Sequence, residues 1–69
     1  MPKYYVHTKK DAQGDYEVHK EGCDYLPSAA NREYLGTFSG CKEAVKAAED
    51  KGYKPANGCV HCSKDCHTS

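Results

Sequence analysis

Residues 58–69 read "GCVHCSKDCHTS", which places three cysteines and two histidines within twelve residues. Cys59 and Cys62 form C-x-x-C. Two intervening residues let a tight turn aim both sulfurs at one point, as a zinc ion about 2.3 Å from each sulfur requires. Thioredoxin-like proteins use the same spacing, but they set it between a strand and a helix of an α/β domain. Here it follows the clearest helix of the chain, so the spacing favours metal over redox chemistry.

A tetrahedral site needs two more ligands. Upstream, "HKEGC" offers His19 and Cys23, with Gly22 permitting the bend that lets them converge. In an extended chain they would stand well over about 10 Å apart. Cys66 competes for the fourth position, since C-x3-C from Cys62 is also feasible, and His67 competes less strongly. His61 lies inside the C-x-x-C turn and is expected to point outward. His19 alternates onto the strand face opposite Tyr16 and Val18, which argues against an inward role. His7 has no partner at ligand spacing.

The rest of the chain explains why a metal matters. With 69 residues, two Leu, four Val, one Phe and no Ile or Trp, it is poor in core-forming side chains. Domains this small bury little surface and commonly need a cross-link or an ion. Six tyrosines add apolar area, and ten basic residues balance ten acidic ones, so the composition is not that of a disordered segment. A metal joining the region after a hairpin to the region after a helix would supply the missing staple.

Two strands are expected at the start. In "KYYVH" and "DYEVHK", Tyr4, Val6, Tyr16 and Val18 alternate with polar neighbours, and "TKKDAQGD" between them is a polar loop carrying Gly14. Lys3–His7 is expected to pair with Asp15–His19. "EYLGTF" is a third candidate strand, with Gly36 indicating an edge position or a bulge. Residues Gly40–Lys51 are the expected helix: Cys41, Ala44, Val45 and Ala48 make one apolar stripe. Ser39 is the expected N-cap, and Gly52 is placed for a left-handed stop before Pro55. The expected fold is therefore α+β, a hairpin or three-stranded antiparallel sheet on one helix, in a single domain over residues 1–69. Cys41 reads as a small buried hydrophobe; the alternative is a thiol activated by the helix N-terminus.

Several functions are disfavoured. The N-terminus "MPKYYVHTKK" lacks the apolar core of a secretory signal, and no stretch is long and apolar enough to span a membrane. A cytoplasmic setting is expected, where thiols stay reduced. Zero net charge and interleaved Lys and Glu/Asp, as in "CKEAVKAAEDKGYK", predict weak or no nucleic-acid binding and leave a protein partner as the alternative. No nucleophile–base arrangement, phosphate loop or carboxylate pair stands out.

Taken together, "VHKEGCDYL", "NREYLGTF", the helix, "GYKP" and "GCVHC" resemble small bacterial zinc-binding domains of the Ada N-terminal type, and also short bacterial proteins of unknown function. The resemblance spans Val18 to Cys62. It implies a zinc site at His19, Cys23, Cys59 and Cys62 in a compact α+β fold. Domains of that type transfer a methyl group to a zinc thiolate, so it also implies an alternative function as a methyl acceptor or redox-active thiol protein. The chain departs from the pattern at "GYKPANGCVHC", where "ANG" is inserted before the first cysteine. It also lacks the basic surface that holds DNA. The leading expectation is a non-enzymatic, zinc-stabilised binding or interaction module.

Overall fold

The structure, a computed structural model, describes residues 1–67. Its order is β1 (Lys3–His7), β2 (Tyr16–Lys20), β3 (Arg32–Thr37), α1 (Cys41–Asp50) and β4 (Ala56–Gly58), with single 3-10 turns at Ala29–Asn31 and Lys64–Cys66. The four strands form one sheet in the order β3-β1-β2-β4. The expected α+β fold is present, with one strand more than expected.

The hairpin pairs Tyr5 with His19 and Val6 with Val18, antiparallel. Its loop is closed by Asp11, whose carboxylate accepts from the backbone N–H groups of Gln13 and Asp15, both at 2.9 Å. Gly14 takes a left-handed φ of 86° there. The alternation places Tyr4, Val6 and Val18 in the core, at 4 %, 0 % and 0 % exposure. Tyr16 is half-buried and packs against them. β2 runs one residue later than expected, Tyr16–Lys20 instead of Asp15–His19.

β3 is the edge strand beside β1, and the pairing skips from Tyr4↔Gly36 to Tyr5↔Tyr34. Leu35 is the extra residue of this bulge, and it turns inward to complete the core at 8 % exposure. Both explanations of Gly36, edge and bulge, hold. On the opposite face Tyr5 stacks obliquely on Tyr34 at 5.5 Å, with Arg32 over the Tyr5 ring at 4.9 Å.

α1 lays Ala44 and Ala48, both fully buried, on the core face, with Cys41 and Val45 half-buried beside them. Small residues let the helix approach the sheet closely, so a thin core still fills its space. The N-cap is Gly40, not Ser39. Ser39 instead donates its hydroxyl to Glu43 at 2.9 Å, using the oxygen that would otherwise cap the helix. Gly52, at φ 101°, ends the helix as expected.

Two features depart from expectation. "ANG" is a strand: β4 runs parallel to β2 with the register Tyr16↔Ala56, Glu17↔Asn57 and Val18↔Gly58. Cys41, expected as a buried free thiol, is bonded to Cys66 in a disulfide spanning 25 residues of sequence. The reason is proximity: the 3-10 turn carrying Cys66 folds back over the end of β4 and meets the first residue of α1. The expectation that all thiols are reduced is corrected for this pair. Among the described residues, no helix is long and apolar enough to cross a membrane.

Candidate metal centre

The centre lies where β2 and β4 end side by side. Cys59 continues β4, and its N–H donates to the Val18 carbonyl at 2.9 Å, which sets it beside His19 on the neighbouring strand. Ser63 N–H donates to the Cys59 carbonyl at 2.7 Å and closes the C-x-x-C turn, bringing Cys62 back to the same point. From the other side the chain leaves β2 through Lys20–Cys23, a turn closed by Cys23 N–H to Lys20 O at 3.1 Å and permitted by Gly22 at φ 82°. That turn returns Cys23 over His19.

The result is that His19, Cys23, Cys59 and Cys62 place their ligand atoms within 4.8 Å of one another. His19 Nδ1 is 3.7 Å from Cys23 Sγ and 3.9 Å from Cys62 Sγ, and Cys23 Sγ is 4.0 Å from Cys59 Sγ. Three thiols and one imidazole so arranged lie close enough to bind one metal ion. Such donors suit a borderline or soft transition metal better than Mg²⁺ or Ca²⁺, which prefer oxygen.

His19 is oriented by its surroundings. It is 1 % exposed although it lies on the strand face opposite the helix, because the Cys23 and Cys59–Cys62 segments cover that face locally. Its Nε2 is buried and lacks a hydrogen bond, with Glu17 Oε1 at 3.6 Å, just beyond hydrogen-bonding reach. A small tightening would let Nε2–H donate to Glu17 and fix Nδ1 as the ligating nitrogen, the usual carboxylate–histidine arrangement behind a metal. At Cys62, the Lys20 backbone N–H points at the sulfur from 3.3 Å, a donor placed to support a thiolate.

Without an ion the same burial opposes the ligating charge state. Burial, then the hydrogen bond with Cys23, pushes the Cys62 thiol up to about 12, against the Lys20 N–H that lowers it. A bound cation reverses this logic and holds the thiols deprotonated. Burial, with His7 across the hairpin adding to it, lowers His19 to about 4. The metal-free chain should therefore lose stability on acidification. Below pH 6.5 the unfolded chain accepts a proton that folded His19 refuses, so stability is full above 6.5 and falls as pH drops toward about 4. The difference amounts to at most about 3 kcal/mol. Denaturant melts of the apo-protein across that range should show the slope, and a flat profile would contradict it.

The remaining expected residues fall outside the cluster. His61 is exposed and stacks on Tyr25, centroids 3.9 Å apart and 17° from parallel. Cys66 is taken by Cys41, and His67 Nδ1 lies 3.0 Å from the Gly58 carbonyl, so neither competes with His19. Sequence reasoning missed Glu17 and the Lys20 N–H as supporting groups; His19 and Glu17, two apart on one strand, share a face and offered that signal. Comparison with protein-family models, curated proteins and solved structures finds no match.

Proposed function

We propose that the cluster is a structural zinc centre and that the domain is a non-enzymatic binding module held in shape by it. The supporting observation is proximity: all four donors come from the chain and lie within 4.8 Å of one another. Zinc at about 2.3 Å from sulfur and 2.0–2.1 Å from nitrogen puts sulfurs roughly 3.8 Å apart and sulfur about 3.5 Å from nitrogen. The separations of 3.7, 3.9 and 4.0 Å need only slight contraction, and no pair, at 4.8 Å or less, needs much more than about 1 Å. Three thiolates, a neutral imidazole and Zn²⁺ carry a charge of about −1, which backbone donors such as the Lys20 N–H offset. A four-coordinate site of this kind leaves no position for water or substrate.

Beside the centre, Tyr25 and Val60 expose 59 % and 44 % of their surface, which suits contact with a protein partner more than catalysis. In the cytoplasm the Cys41–Cys66 pair would be reduced and the ion would remain as the staple. The resemblance to Ada-type domains supports a second reading, methyl transfer to a thiolate; Cys23 and Cys62 are both half-buried, and Cys62 is the one that lines a cavity of about 340 Å³.

One set of measurements separates them. Metal analysis of purified protein should give one zinc per chain. Exposure to methylated duplex DNA should leave the mass unchanged, and binding to that DNA should be weak, as zero net charge implies little counterion release. A mass gain of one methyl on Cys62 would replace the first reading by the second, and a protein without metal would refute both.

A further inference from the structure

Two sulfurs lie outside the metal quartet, and they occupy a connected position. Cys41 opens α1 and Cys66 ends the last 3-10 turn. Both are half-buried and line an open groove of about 530 Å³, with Val45 and Ala56 among its walls. Cys41 also borders the smaller cavity that Cys62 lines, so one end of the disulfide and one metal ligand share a space.

The covalent bond holds the arm that carries the metal turn. Cys66 presses on β4 so closely that a Cβ added at Gly58 would lie 2.7 Å from its Cβ. Gly58 directly precedes the ligand Cys59. Besides the disulfide, the Lys20 N–H to Cys62 Sγ bond and the His61–Tyr25 stack, the hydrogen bonds that shape and hold the arm include Ser63 N–H to Cys59 O at 2.7 Å, Cys66 N–H to Ser63 O at 2.9 Å and His67 Nδ1 to Gly58 O at 3.0 Å. Two of these three bonds run between the arm and Gly58 or Cys59, so slack in the arm reaches the ligand turn directly.

We infer that Cys41–Cys66 is a thiol-exchange site for a dithiol reductant, and that opening it loosens the hold of His19, Cys23, Cys59 and Cys62 on their metal. The inference rests on the metal-centre reading above. In the first step a thiolate of the dithiol attacks Cys66 Sγ, a mixed disulfide forms, and Cys41 leaves as thiolate. The free N–H groups at the start of α1 stabilise that leaving group, and no side chain caps them. In the second step the other thiol of the reductant attacks its own sulfur in the mixed disulfide. Cys66 is released, the reductant closes as a cyclic disulfide, and two electrons and two protons have passed to the protein.

The test uses the whole chain loaded with Co²⁺, whose thiolate absorption reports the centre, and a chromophoric chelator that takes up released ion. Millimolar dithiothreitol under native conditions should expose two further alkylatable thiols, counted by mass. A phosphine reductant, which brings no competing thiolate, should speed cobalt loss by about tenfold or more, as release of a 25-residue cross-link implies. A Cys41→Ser/Cys66→Ser variant should lose cobalt at that faster rate with or without phosphine; if it does not fold, the wild-type arms decide alone. A disulfide that stays closed in dithiothreitol, or one that opens with cobalt loss unchanged, overturns the inference. Absence of cobalt absorption before any reductant is added overturns the metal centre itself, so the two failures are told apart.

Discussion

Cys62→Ser is expected to strip the metal and leave the domain far less stable, with a thin core and the Cys41–Cys66 disulfide as its remaining supports. The substitution leaves three of four donors and removes the sulfur that the Lys20 N–H addresses at 3.3 Å. Structural zinc contributes about 10–16 kcal/mol in small metal-dependent folds, whereas a core of this size seldom supplies more than about 3–5 kcal/mol. The largest fully buried side chains here are His19, Val6, Val18 and Cys59, and two of those four belong to the metal quartet. Loss of the ion therefore removes the packing reason for one side of the sheet as well as the bonds. Metal content by mass spectrometry and the far-ultraviolet circular dichroism melt would show it. A variant with one bound ion and a wild-type melt would refute the role of Cys62. His67→Ala removes a hydrogen bond to the Gly58 carbonyl but no metal donor and leaves the disulfide closed, so it should keep the ion and serves as the control.

Gly58→Ala is expected to cost about 1–3 kcal/mol, or a fall in melting temperature of about 4–8 °C for each kcal/mol. The backbone conformation at Gly58 is ordinary, so the cost is one of space. An added Cβ would lie 2.6 Å from the Ser63 carbonyl oxygen, 2.7 Å from Cys66 Cβ and 2.9 Å from the Cys66 carbonyl carbon. Two of these atoms are backbone and the third is fixed by a disulfide, so none swings away as the end of a long side chain would. Relief requires that β4 separate from the Lys64–Cys66 turn, which shifts Cys59 and weakens metal binding too. Urea unfolding and metal competition should move together in this variant. An unchanged urea midpoint would mean that the turn yields freely and that the close approach has no energetic weight.

The hairpin, the helix and the sulfurs of Cys23, Cys59 and Cys62 were legible because each follows from a local pattern; His19 was one of several candidates for the fourth place, and only the resemblance to Ada-type domains completed the quartet. Alternation selected Tyr4, Val6 and Val18, helical spacing selected Ala44 and Ala48, and C-x-x-C with Gly22 before Cys23 selected the sulfurs. β4 was not legible. "ANG" has no β-branched or aromatic residue, and its pairing with β2 joins positions some forty residues apart, such as Val18 and Gly58. The inserted "ANG", a departure from the resembling pattern, is the strand that carries Cys59 to His19. The burial of His19 was hidden for a related reason: alternation describes one strand, while the cover over its second face comes from residues 23 and 59–62. The disulfide was hidden because Cys41 fits an apolar stripe and Cys66 fits ligand spacing. Neither pattern encodes that the last turn reaches the start of the helix.

The pairing of an early strand with a late one also imposes an order in time. His19 and Cys62 are 43 residues apart in sequence. At about 5–20 residues per second, a ribosome adds Cys62 roughly 2–9 s after His19. For most of that interval a nascent chain offers an incoming ion only His19 and Cys23 of the quartet, since Cys59 follows Cys23 by 36 residues. A two-donor encounter is short-lived, and other ligands in the cell compete for the ion. Capture that lasts must wait until the chain has passed Cys62 and laid β4 against β2, so an ion would be acquired late, after the hairpin and helix segments have been made.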